Sequence, residues 1–521
     1  MLNNKLLQHF NLFLDSIFLN KYEKNFINKN NFYYKKFHNL ELNKNKKNIL
    51  IQTVTDYYYL CYYKTLVNDR KYKDFNFIGL WPYFQQTVRK RNFILENLNE
   101  FYNRIIFYFL YIKWKKLYQS IGIKVFYKLD ENICLKHKFF KKDFKSRAAL
   151  FNYKLSGINV GDIIYDTYLR FRAMPTLFLK DLFLKKLIIK SYSIIKNLEK
   201  IYQNFKFDYF FTSYSSYIHH GLAVRFFLRK NVRVFSGKNN SQYNKSLSSK
   251  NLNHTENYRK YKFHYNEIKN NKKFLQLSKK DLVYRFSKNT KFNRNFSYLL
   301  TDTYNVQKKS SFDIKRLQNV DGVLFLQDFY DSPHDWGNLI FDDFYIWTIF
   351  TLNIIKKYKL KIAIKPHPNS WNNSIDSVFI YKRLKKRYAD LIWLDKDFPN
   401  KIIFKKIKYG ISATGTVLFE LAYHGIKAIS CGDHPGKIFN FTISAKNRNH
   451  YRKILLNINS LNKPNYSKED LLIYNYLYYH YNMDAFENVA REIELKKIDF
   501  NKSKSLLEFN KKYENYVSKI S

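Results

Sequence analysis

A histidine held between two prolines is one of two polar groups in this sequence that could carry chemistry. Lys365, Pro366, His367 and Pro368 come directly after a KIAI run that predicts a buried strand. The prolines restrict the backbone on both sides of His367, so its imidazole leaves the strand end in a restricted direction. An imidazole beside an ammonium group suits a phosphate or a departing nucleotide. The alternative is a capped strand end with a solvent-facing histidine.

The second polar group is the hydroxyl-rich SATGT segment at 412–416, between a strand pattern and a helical pattern. Ser412, Thr414 and Thr416 offer hydroxyls, and Gly415 lets the backbone approach a ligand closely. The first amides of a helix point outward as donors, so this segment predicts a phosphate cradle. Glu420 lies one turn after Thr416 and could accept hydrogen bonds from ribose hydroxyls. The alternative is an ordinary helix N-cap with a solvated glutamate.

Both polar groups follow strands of one βα domain and are separated by one strand–helix unit. Ligands of open α/β sheets bind beyond the carboxyl ends of the strands. If the imidazole and the hydroxyls converge at one mouth, they can hold both ends of a nucleotide monophosphate or diphosphate sugar. The sequence therefore predicts a nucleotide-sugar site in the second half of the chain.

Short apolar runs alternate with helical patterns in both halves of the chain, which predicts parallel sheets with crossover helices. The strand patterns lie at 48–53, 75–81, 123–129, 208–213 and 232–236, and then at 322–327, 361–368, 391–394, 409–412 and 427–432. We therefore predict an α/β fold of two Rossmann-like lobes, with extra helices at the N-terminus and between the lobes.

The same patterns divide the chain into five predicted parts. They are a helical lead-in at 1–46, an N-terminal acceptor lobe at 47–236, a polar linker with bridging helices at 237–319, a C-terminal donor lobe at 320–482 and a charged helical tail at 483–521. Within them, 237–262 reads as a long loop or partly ordered linker. Residues 339–357 read as one amphipathic helix that carries Asp342 and Asp343 on a solvated face.

Charge and composition limit the classes of partner. The chain has 92 Lys and Arg against 42 Asp and Glu, a net charge of +50. These residues are spread along the chain and no known nucleic-acid motif is present, so we expect no nucleic-acid partner. An anionic inner-membrane surface could still attract such a chain. A basic nucleic-acid or membrane-surface binding protein is the competing class, and it would bind in a strongly salt-dependent way.

Cysteine usage and hydropathy predict a cytoplasmic protein, or one peripheral on the inner face of a membrane. Three scattered cysteines form neither a disulfide framework nor a metal cluster. The opening residues include Asp15 within an apolar stretch and no small-residue cleavage site, which argues against a signal peptide. The apolar run near 105–112 is far shorter than the roughly 20 residues of a spanning helix.

Several stretches of this sequence resemble bacterial capsule polysaccharide biosynthesis proteins and related glycosyltransferases of the GT-B architecture. They are IKPHP at 364–368, ISATGTVLFELAYHGIKAISCG at 411–432, FLQDFYDSPHDWGN at 325–338, FDDFYIWT at 341–348 and two first-half segments at 160–170 and 214–235. The resemblance covers about 157–236 and 320–435. The pairing of His-Pro with a Ser/Thr-rich turn is also similar to that of GT-B sialyl- and Kdo-transferases, which use CMP-sugars.

The resemblance implies a role for each matching residue. His367 would contact the donor phosphate and assist the leaving group, with Lys365 and Pro368 beside it. Ser412, Thr414, Gly415 and Thr416 would bind phosphate, and Glu420 would bind ribose. The acidic-acidic-Gly base motif of sialyltransferases has no clear match here, which leaves the donor and the general base open. The nucleotide-sugar is a substrate, and neither a cofactor nor a metal is expected.

A transferase needs a group that deprotonates the acceptor hydroxyl. Asp162 is the leading candidate because it follows a glycine in a predicted first-lobe loop, and the alternative is an aspartate that caps a helix. Other candidates for the cleft lining are His219, His220, Asp328, Asp331 and His334, each with a structural alternative.

Two further acidic and histidine motifs have structural explanations. Asp335 belongs with Asp328, Asp331 and His334, which could instead shape a turn around a proline, and their spacing gives no firm metal set. His434 precedes a proline in a predicted loop, where it could contact the donor sugar, but loop structure is the simpler role.

The sequence thus favours a glycosyltransferase that moves a sugar from a nucleotide-sugar donor to a capsule or other surface glycan, or to a lipid-linked glycan. A 2-epimerase-like isomerase of sugar nucleotides and a polyol-phosphate transferase are alternatives, because they share strand-end histidines and Ser/Thr helix starts.

Overall fold

Two mostly parallel sheets, one in each half of the chain, form the framework of this computed structural model. The structure describes residues 17–37, 46–82, 87–89, 93–123, 125–129, 143–238, 241–252, 258–286, 304, 311–335, 338–368, 375–481, 493, 495 and 498–520. The predicted α/β class with two Rossmann-like lobes is confirmed.

The first lobe holds a six-stranded sheet in the order β3-β2-β1-β6-β7-β8. Its strands are β1 (Lys47–Gln52), β2 (Phe75–Trp81), β3 (Val125–Lys128), β6 (Tyr209–Thr212), β7 (Arg233–Lys238) and β8 (Ser241–Leu247), and β4 (Lys154–Leu155) and β5 (Ile158–Asn159) form a separate hairpin. All sheet pairings are parallel except that of β8 with β7. The strand order reverses between β1 and β6, which is the topological switch point of such sheets.

Helices cover both faces of the first sheet. They are α1 (Lys21–Phe37), α2 (Tyr57–Val67), α3 (Phe93–Ser120), α4 (Arg147–Phe151), α5 (Gly161–Arg172), α6 (Leu182–Asn204) and α7 (Tyr217–Arg229). One apolar core lies between the sheet and α5, α6 and α7, and a second lies between the opposite face and α2 and α3. Parallel strands buried on both faces account for the near-continuous apolar runs in the sequence.

The second lobe repeats this plan with five strands in the order β10-β9-β11-β12-β13. The strands are β9 (Gly322–Phe325), β10 (Ile362–Lys365), β11 (Tyr409–Ser412), β12 (Lys427–Ser430) and β13 (Thr442–Ser444). All are parallel, and the order reverses between β9 and β11. The predicted strand at 391–394 is reduced to a single bridge between Trp393 and Ile364.

The helices of the second half lie around this sheet or beyond it, except the last one, which packs into the first-lobe core. They are α8 (Tyr261–Lys269), α9 (Lys272–Phe286), α10 (Ser311–Leu317), α11 (Phe344–Lys357), α12 (Ile375–Arg387), α13 (Asn400–Phe404), α14 (Val417–Tyr423), α15 (Arg448–Leu456), α16 (Lys468–Tyr479) and α17 (Ser505–Ile520). The bridging helices α8 and α9 pack with α16 around Tyr261, Leu282 and Tyr474. Among these helices and those of the first lobe, none has both the length and the apolar character that crossing a bilayer requires.

Two local predictions are wrong. The segment 237–262, which we predicted as a loop, contains the edge strand β8, whose Leu247 is buried against the first-lobe core. The helix predicted over 339–357 begins only at Phe344, because Asp343 caps it: the amide of Ile346 donates to Asp343 Oδ1 at 2.8 Å. Asp343 is therefore fully buried and does not lie on a solvated face.

Candidate active site

A glutamine occupies the switch point of the second sheet, where β9 and β11 end side by side. Gln327 follows β9, and its amide Nε2 donates to the hydroxyl of Ser412 at 2.7 Å. A Cβ added to Gly415 would lie 2.7 Å from that same nitrogen, so the glycine leaves the space that the glutamine amide fills. Gln327 was not selected from the sequence. Its position at the end of the FLQ strand pattern is the signal that could have identified it.

His367 lies at the same carboxyl edge, on the other side of β9. It follows β10, and the neighbouring strand β9 leads into Asp328 and Asp331. Burial lowers the pKa of His367, although the charges of Asp328 and Asp331 act in the opposite direction. A neutral imidazole at pH 7 can donate one hydrogen bond and accept another. The structure thus places His367 and the SATGT segment at the same carboxyl edge of the second sheet, on opposite sides of β9.

The first lobe also has a glutamine at its switch point. Gln52 ends β1, and its Oε1 accepts from Thr212 at the end of β6 at 2.5 Å and lies 2.8 Å from His220 Nδ1. Its Nε2 donates to the carbonyl of His219 at 2.9 Å. Burial lowers the pKa of His220 to about 3 and that of His219 as well, so both rings are neutral. These histidines belong to the packing beneath this edge.

Asp343 joins the two lobes at the start of α11. Its Oδ2 accepts from Tyr165 at 2.8 Å and from Thr176 at 2.7 Å, and both donors belong to the first lobe. The N-cap of a second-lobe helix is therefore also an interlobe contact. These bonds hold the start of α11 against the first lobe.

Two further second-lobe residues bind the first lobe in the same region. His334 Nδ1 lies 2.5 Å from Asp166 Oδ1, and its Nε2 donates to the carbonyl of Asp342 at 3.1 Å. Asp335 accepts from Ser216, and also from Ser332 at 2.5 Å. His334 was predicted as a cleft-lining group, but its Nδ1 holds the two lobes together and its Nε2 binds a carbonyl of its own lobe.

Arg170 supplies a cation from the first lobe to this edge. It lies near the end of α5, and it makes no hydrogen bond or ion pair within the described part of the chain. Burial lowers its pKa, but the charges of Asp331 and Asp328 contribute to holding that pKa above the ordinary value. We call Arg170, His367, Asp328 and Asp331 the interlobe cluster. Asp328 is buried, and Asp331 is exposed.

Lys365 and Glu420 belong to a buried polar network beside the predicted cradle. Lys365 Nζ donates to Asn400 at 2.7 Å, and Glu420 accepts from Arg285 of α9 at 2.7 Å. Asn400 Nδ2 lies 3.4 Å from Glu420 and connects the two pairs. Burial lowers the pKa of Lys365 to about 8. A phosphate or ribose would compete with these partners, so the predicted roles of Lys365 and Glu420 stay predictions that this geometry does not favour.

The hydroxyl-rich segment presents one buried and two accessible hydroxyls. Ser412 is fully buried, Thr414 is half-buried and Thr416 is exposed. The helix that follows, α14, has only seven residues and begins at Val417, two residues later than predicted. The hydroxyl groups are therefore better placed to bind a ligand than the dipole of so short a helix.

His434 caps a short 3-10 turn by accepting from the amide of Gly436 at 3.0 Å, in agreement with its predicted loop role.

Asp162 lies in the first turn of α5, where it forms a two-pronged ion pair with Arg225. Both bonds measure 2.6 Å, and Arg225 also donates to the carbonyl of Asn159 at 2.6 Å. Burial raises the pKa of Asp162, but hydrogen bonding and charge from Arg225 outweigh it and hold the pKa below its usual value. Because Arg225 binds both carboxylate oxygens of Asp162 and lowers its pKa, Asp162 is poorly suited to accept a proton as a general base. Its arrangement is typical of a structural aspartate at the start of a helix.

The described residues contain no group of three His, Cys, Asp or Glu side chains arranged to hold a metal ion. Metal independence therefore stays a prediction.

No protein-family model and no curated protein matches this chain. Among solved structures, it is similar to "Thermosulfurimonas dismutans KpsC, beta Kdo 2,4 transferase", at 11% identity and a TM-score of 0.30, over 52% of this chain and 79% of that one.

Two further solved structures cover more of the chain. A glycosyltransferase from Rickettsia africae is 10% identical with a TM-score of 0.24, over 91% of this chain and 99% of that one. UDP-GlcNAc 2-epimerase from Neisseria meningitidis is 10% identical with a TM-score of 0.24, over 83% and 97%. Such distant likenesses do not carry function from those proteins to this chain.

Proposed function

We propose that this protein is a glycosyltransferase that moves a sugar from a nucleotide-sugar donor to a surface glycan or lipid-linked glycan, as in capsule synthesis. The observation that carries the proposal is the meeting of His367 and the SATGT segment at one edge of the second sheet. That edge faces the first lobe through the bonds of Asp343, His334 and Asp335. Each Rossmann-like lobe can bind a ligand at the carboxyl edge of its sheet, so two edges that face each other can bind one substrate each.

The donor would lie on the second lobe, with its phosphate between His367 and the hydroxyls of Thr414 and Thr416. In the reaction the acceptor oxygen bonds to the anomeric carbon while the bond from that carbon to the nucleotide phosphate oxygen breaks. Negative charge then builds on the leaving phosphate. Preorganised donors and cations aimed at such charge accelerate a reaction strongly. A hydrogen bond from His367 and the charge of Arg170 would supply this stabilisation.

The acceptor hydroxyl must lose its proton during transfer. We propose Asp331 as the group that receives it, because Asp331 is the exposed carboxylate of the interlobe cluster. Asp162 is less suited, since its oxygens are held by Arg225. In this proposal Arg170 lies on the acceptor side and Asp331 on the donor side of the same opening.

The function can be tested with purified full-length protein and a panel of CMP, UDP, GDP and CDP compounds. A ligand that binds only the folded state raises the melting temperature by mass action, which selects the nucleotide. The selected nucleotide sugar is then incubated with and without a glycan acceptor, and the products are read by mass spectrometry. Sugar transfer that requires the acceptor supports the proposal.

Other outcomes of this experiment would contradict it. Conversion of the nucleotide sugar to an isomer without acceptor would identify an epimerase-like enzyme. If no nucleotide raises the melting temperature and the protein instead binds polyanions in a strongly salt-dependent way, it is a basic binding protein.

A further inference from the structure

Helix α3 turns an apolar side toward the solvent. Seven large side chains in about four turns are between 43% and 69% exposed, and they are Ile94, Leu95, Leu98, Phe101, Tyr102, Ile105 and Tyr108. Five of them recur at spacings of three and four residues, so they form one stripe along the helix. We call these seven residues the outward face. Single exposed apolar residues need no explanation, but a contiguous stripe does.

The opposite side of the same turns carries charge, and that charge is directed into the protein. Glu96 lies 3.0 Å from Arg172 of α5, and Glu100 lies 3.2 Å from Lys186 of α6. A surface helix ordinarily buries its apolar side and exposes its charged side. The first half of α3 has the reverse polarity. Its orientation is fixed by two ion pairs, so the outward face cannot be buried by a simple rotation of the helix.

The second half of α3 and the chain before α1 extend this surface. Phe109 packs against the exposed Phe18 with ring centroids 5.6 Å apart. Further along, Trp114 and Leu117 turn into the first-lobe core and anchor the helix. At 1.5 Å per residue the stripe from Ile94 to Tyr108 is about 21 Å long.

The charges beside the outward face are positive. Both carboxylates of α3 point inward, whereas Arg104 and Lys116 are exposed. Lys116 shares a surface depression with Lys24 of α1 and with the apolar side chains of Leu19 and Ile27. Aliphatic side chains next to exposed ammonium groups match the chemistry of a lipid surface with anionic headgroups.

We propose that the outward face of α3 is a docking surface for an anionic lipid bilayer, with the helix lying in the plane of the interface. The apolar stripe would enter the boundary between headgroups and acyl chains, and Arg104, Lys116 and Lys24 would contact lipid phosphates. A second copy of the chain fits less well, since it would bring the same cations together and each copy carries a net charge of +50.

The docking surface and the interlobe cluster are connected through α5, since this helix holds Glu96 of α3 by Arg172 and also carries Arg170. A bilayer on this side fits a lipid-linked acceptor, but the docking itself does not depend on the proposed function. It is therefore tested with vesicles that contain neither donor nor acceptor.

The test is flotation of the full-length protein with vesicles of phosphatidylcholine alone or mixed with phosphatidylglycerol. We expect binding to the mixed vesicles. Leu98→Gln, Phe101→Gln and Ile105→Gln keep good helix propensity and remove apolar area from the interface. Each substitution should lower the vesicle partition coefficient by about tenfold. The double variant Lys24→Gln with Lys116→Gln should lose the preference for phosphatidylglycerol.

Phe263→Gln is the matched control, because Phe263 is 83% exposed on α8 and lies outside the outward face. It should bind vesicles as the unchanged protein does, and all variants should melt at a similar temperature. Equal flotation of the Phe101→Gln variant and the unchanged protein would overturn the proposal. So would a failure of the unchanged protein to float with any vesicle. A dimer in sedimentation that Phe101→Gln abolishes, without vesicle binding, would instead assign the face to a second copy.

Discussion

At the scale of single residues, the interlobe cluster joins side chains that are distant along the chain. His367 could be selected from the sequence because two prolines mark it at a strand end. Arg170 could not be selected, because the sequence pattern does not show which first-lobe residues approach the second lobe. The pairing of Asp162 with Arg225 was also hidden, because the partners are 63 positions apart on two different helices.

Replacement of Arg170 by Met tests its role as a cation for an anionic ligand. Within the described residues this guanidinium makes no ion pair, so the fold should tolerate the change. A charged hydrogen bond to a ligand typically contributes about 1.5–3 kcal/mol, which predicts a loss of roughly 10- to 100-fold in kcat/KM. Arg170→Lys should recover part of the activity. Full activity in Arg170→Met, measured as initial rates of transfer, would remove Arg170 from the site.

Asp162→Asn and Asp331→Asn form a pair of tests for the general base. Asp162→Asn breaks a buried pairing with Arg225, so we expect a loss of roughly 1–3 kcal/mol in unfolding free energy but normal activity per folded molecule. Asp331→Asn should keep the fold and lower kcat by roughly 10²–10⁴. Denaturant melts and single-turnover rates measure both effects. A stable but inactive Asp162→Asn protein would restore Asp162 as the base.

At the scale of elements, the strands were easier to predict than the ends of the helices. Runs such as FNFIGLW mark β2 over its full length, because buried parallel strands are apolar throughout. The strand β8 is polar and has no apolar run that would predict it. It is a strand because it pairs with β7 at the edge of the sheet. The start of a helix is harder to predict, as Asp343 shows. The sequence pattern indicates a charged surface residue at this position, but in the structure Asp343 is an N-cap that also accepts two interlobe hydrogen bonds.

The contact between the lobes should weaken as the pH rises toward neutrality. Burial raises the pKa of Asp335 to about 7 from the value near 4 of an unfolded chain, and the neighbouring Asp166 adds to this rise. A carboxyl group whose pKa is higher in the folded protein than in the unfolded chain stabilises the fold while it is protonated. That contribution is complete below the pKa of the unfolded chain and is lost as the pH rises through the pKa of the folded protein. Burial also raises the pKa of Asp166. Burial lowers the pKa of His334, but the charge and hydrogen bond of Asp166 contribute to raising that pKa above its ordinary value. Both groups therefore also stabilise the folded protein less as the pH rises.

Asp335→Asn removes one of these titrations. Between pH 4 and pH 7 the unchanged protein should lose roughly 1–3 kcal/mol more unfolding free energy than the variant. Melting temperatures at a series of pH values measure the difference. Parallel pH profiles for the two proteins would show that Asp335 ionises normally in the folded state.

At the scale of the whole molecule, the first and last described helices, α1 and α17, both pack on the first lobe. Leu506 and Phe509 of α17 are buried in the same core as Phe26 of α1. Lys64 of α2 connects the three helices, since its Nζ donates to Asn30 at 2.8 Å and to Asn510 at 2.9 Å. The sequence predicted a helical lead-in and a helical tail. It gave no sign that they meet, because the pattern of one helix does not identify its partner.

Phe509→Ala tests whether the tail belongs to the first-lobe core. Phe509 is fully buried, and truncation of a buried phenylalanine costs about 3–5 kcal/mol. Phe263→Ala, at an exposed position, should change stability by no more than about 0.5 kcal/mol. Denaturant unfolding followed by fluorescence gives both values. An unchanged midpoint for Phe509→Ala would mean that α17 detaches in solution.

The central claim is that a nucleotide sugar binds where His367 and the SATGT segment meet. Its most direct test is the nucleotide dissociation constant, measured by calorimetry for the unchanged protein, His367→Ala, Thr416→Val and the control Ser460→Ala, which removes an exposed hydroxyl elsewhere in the second lobe. We predict that His367→Ala and Thr416→Val each weaken binding by roughly tenfold, the effect of losing one hydrogen bond, and that Ser460→Ala has no effect. Equal dissociation constants for all four proteins would contradict the account.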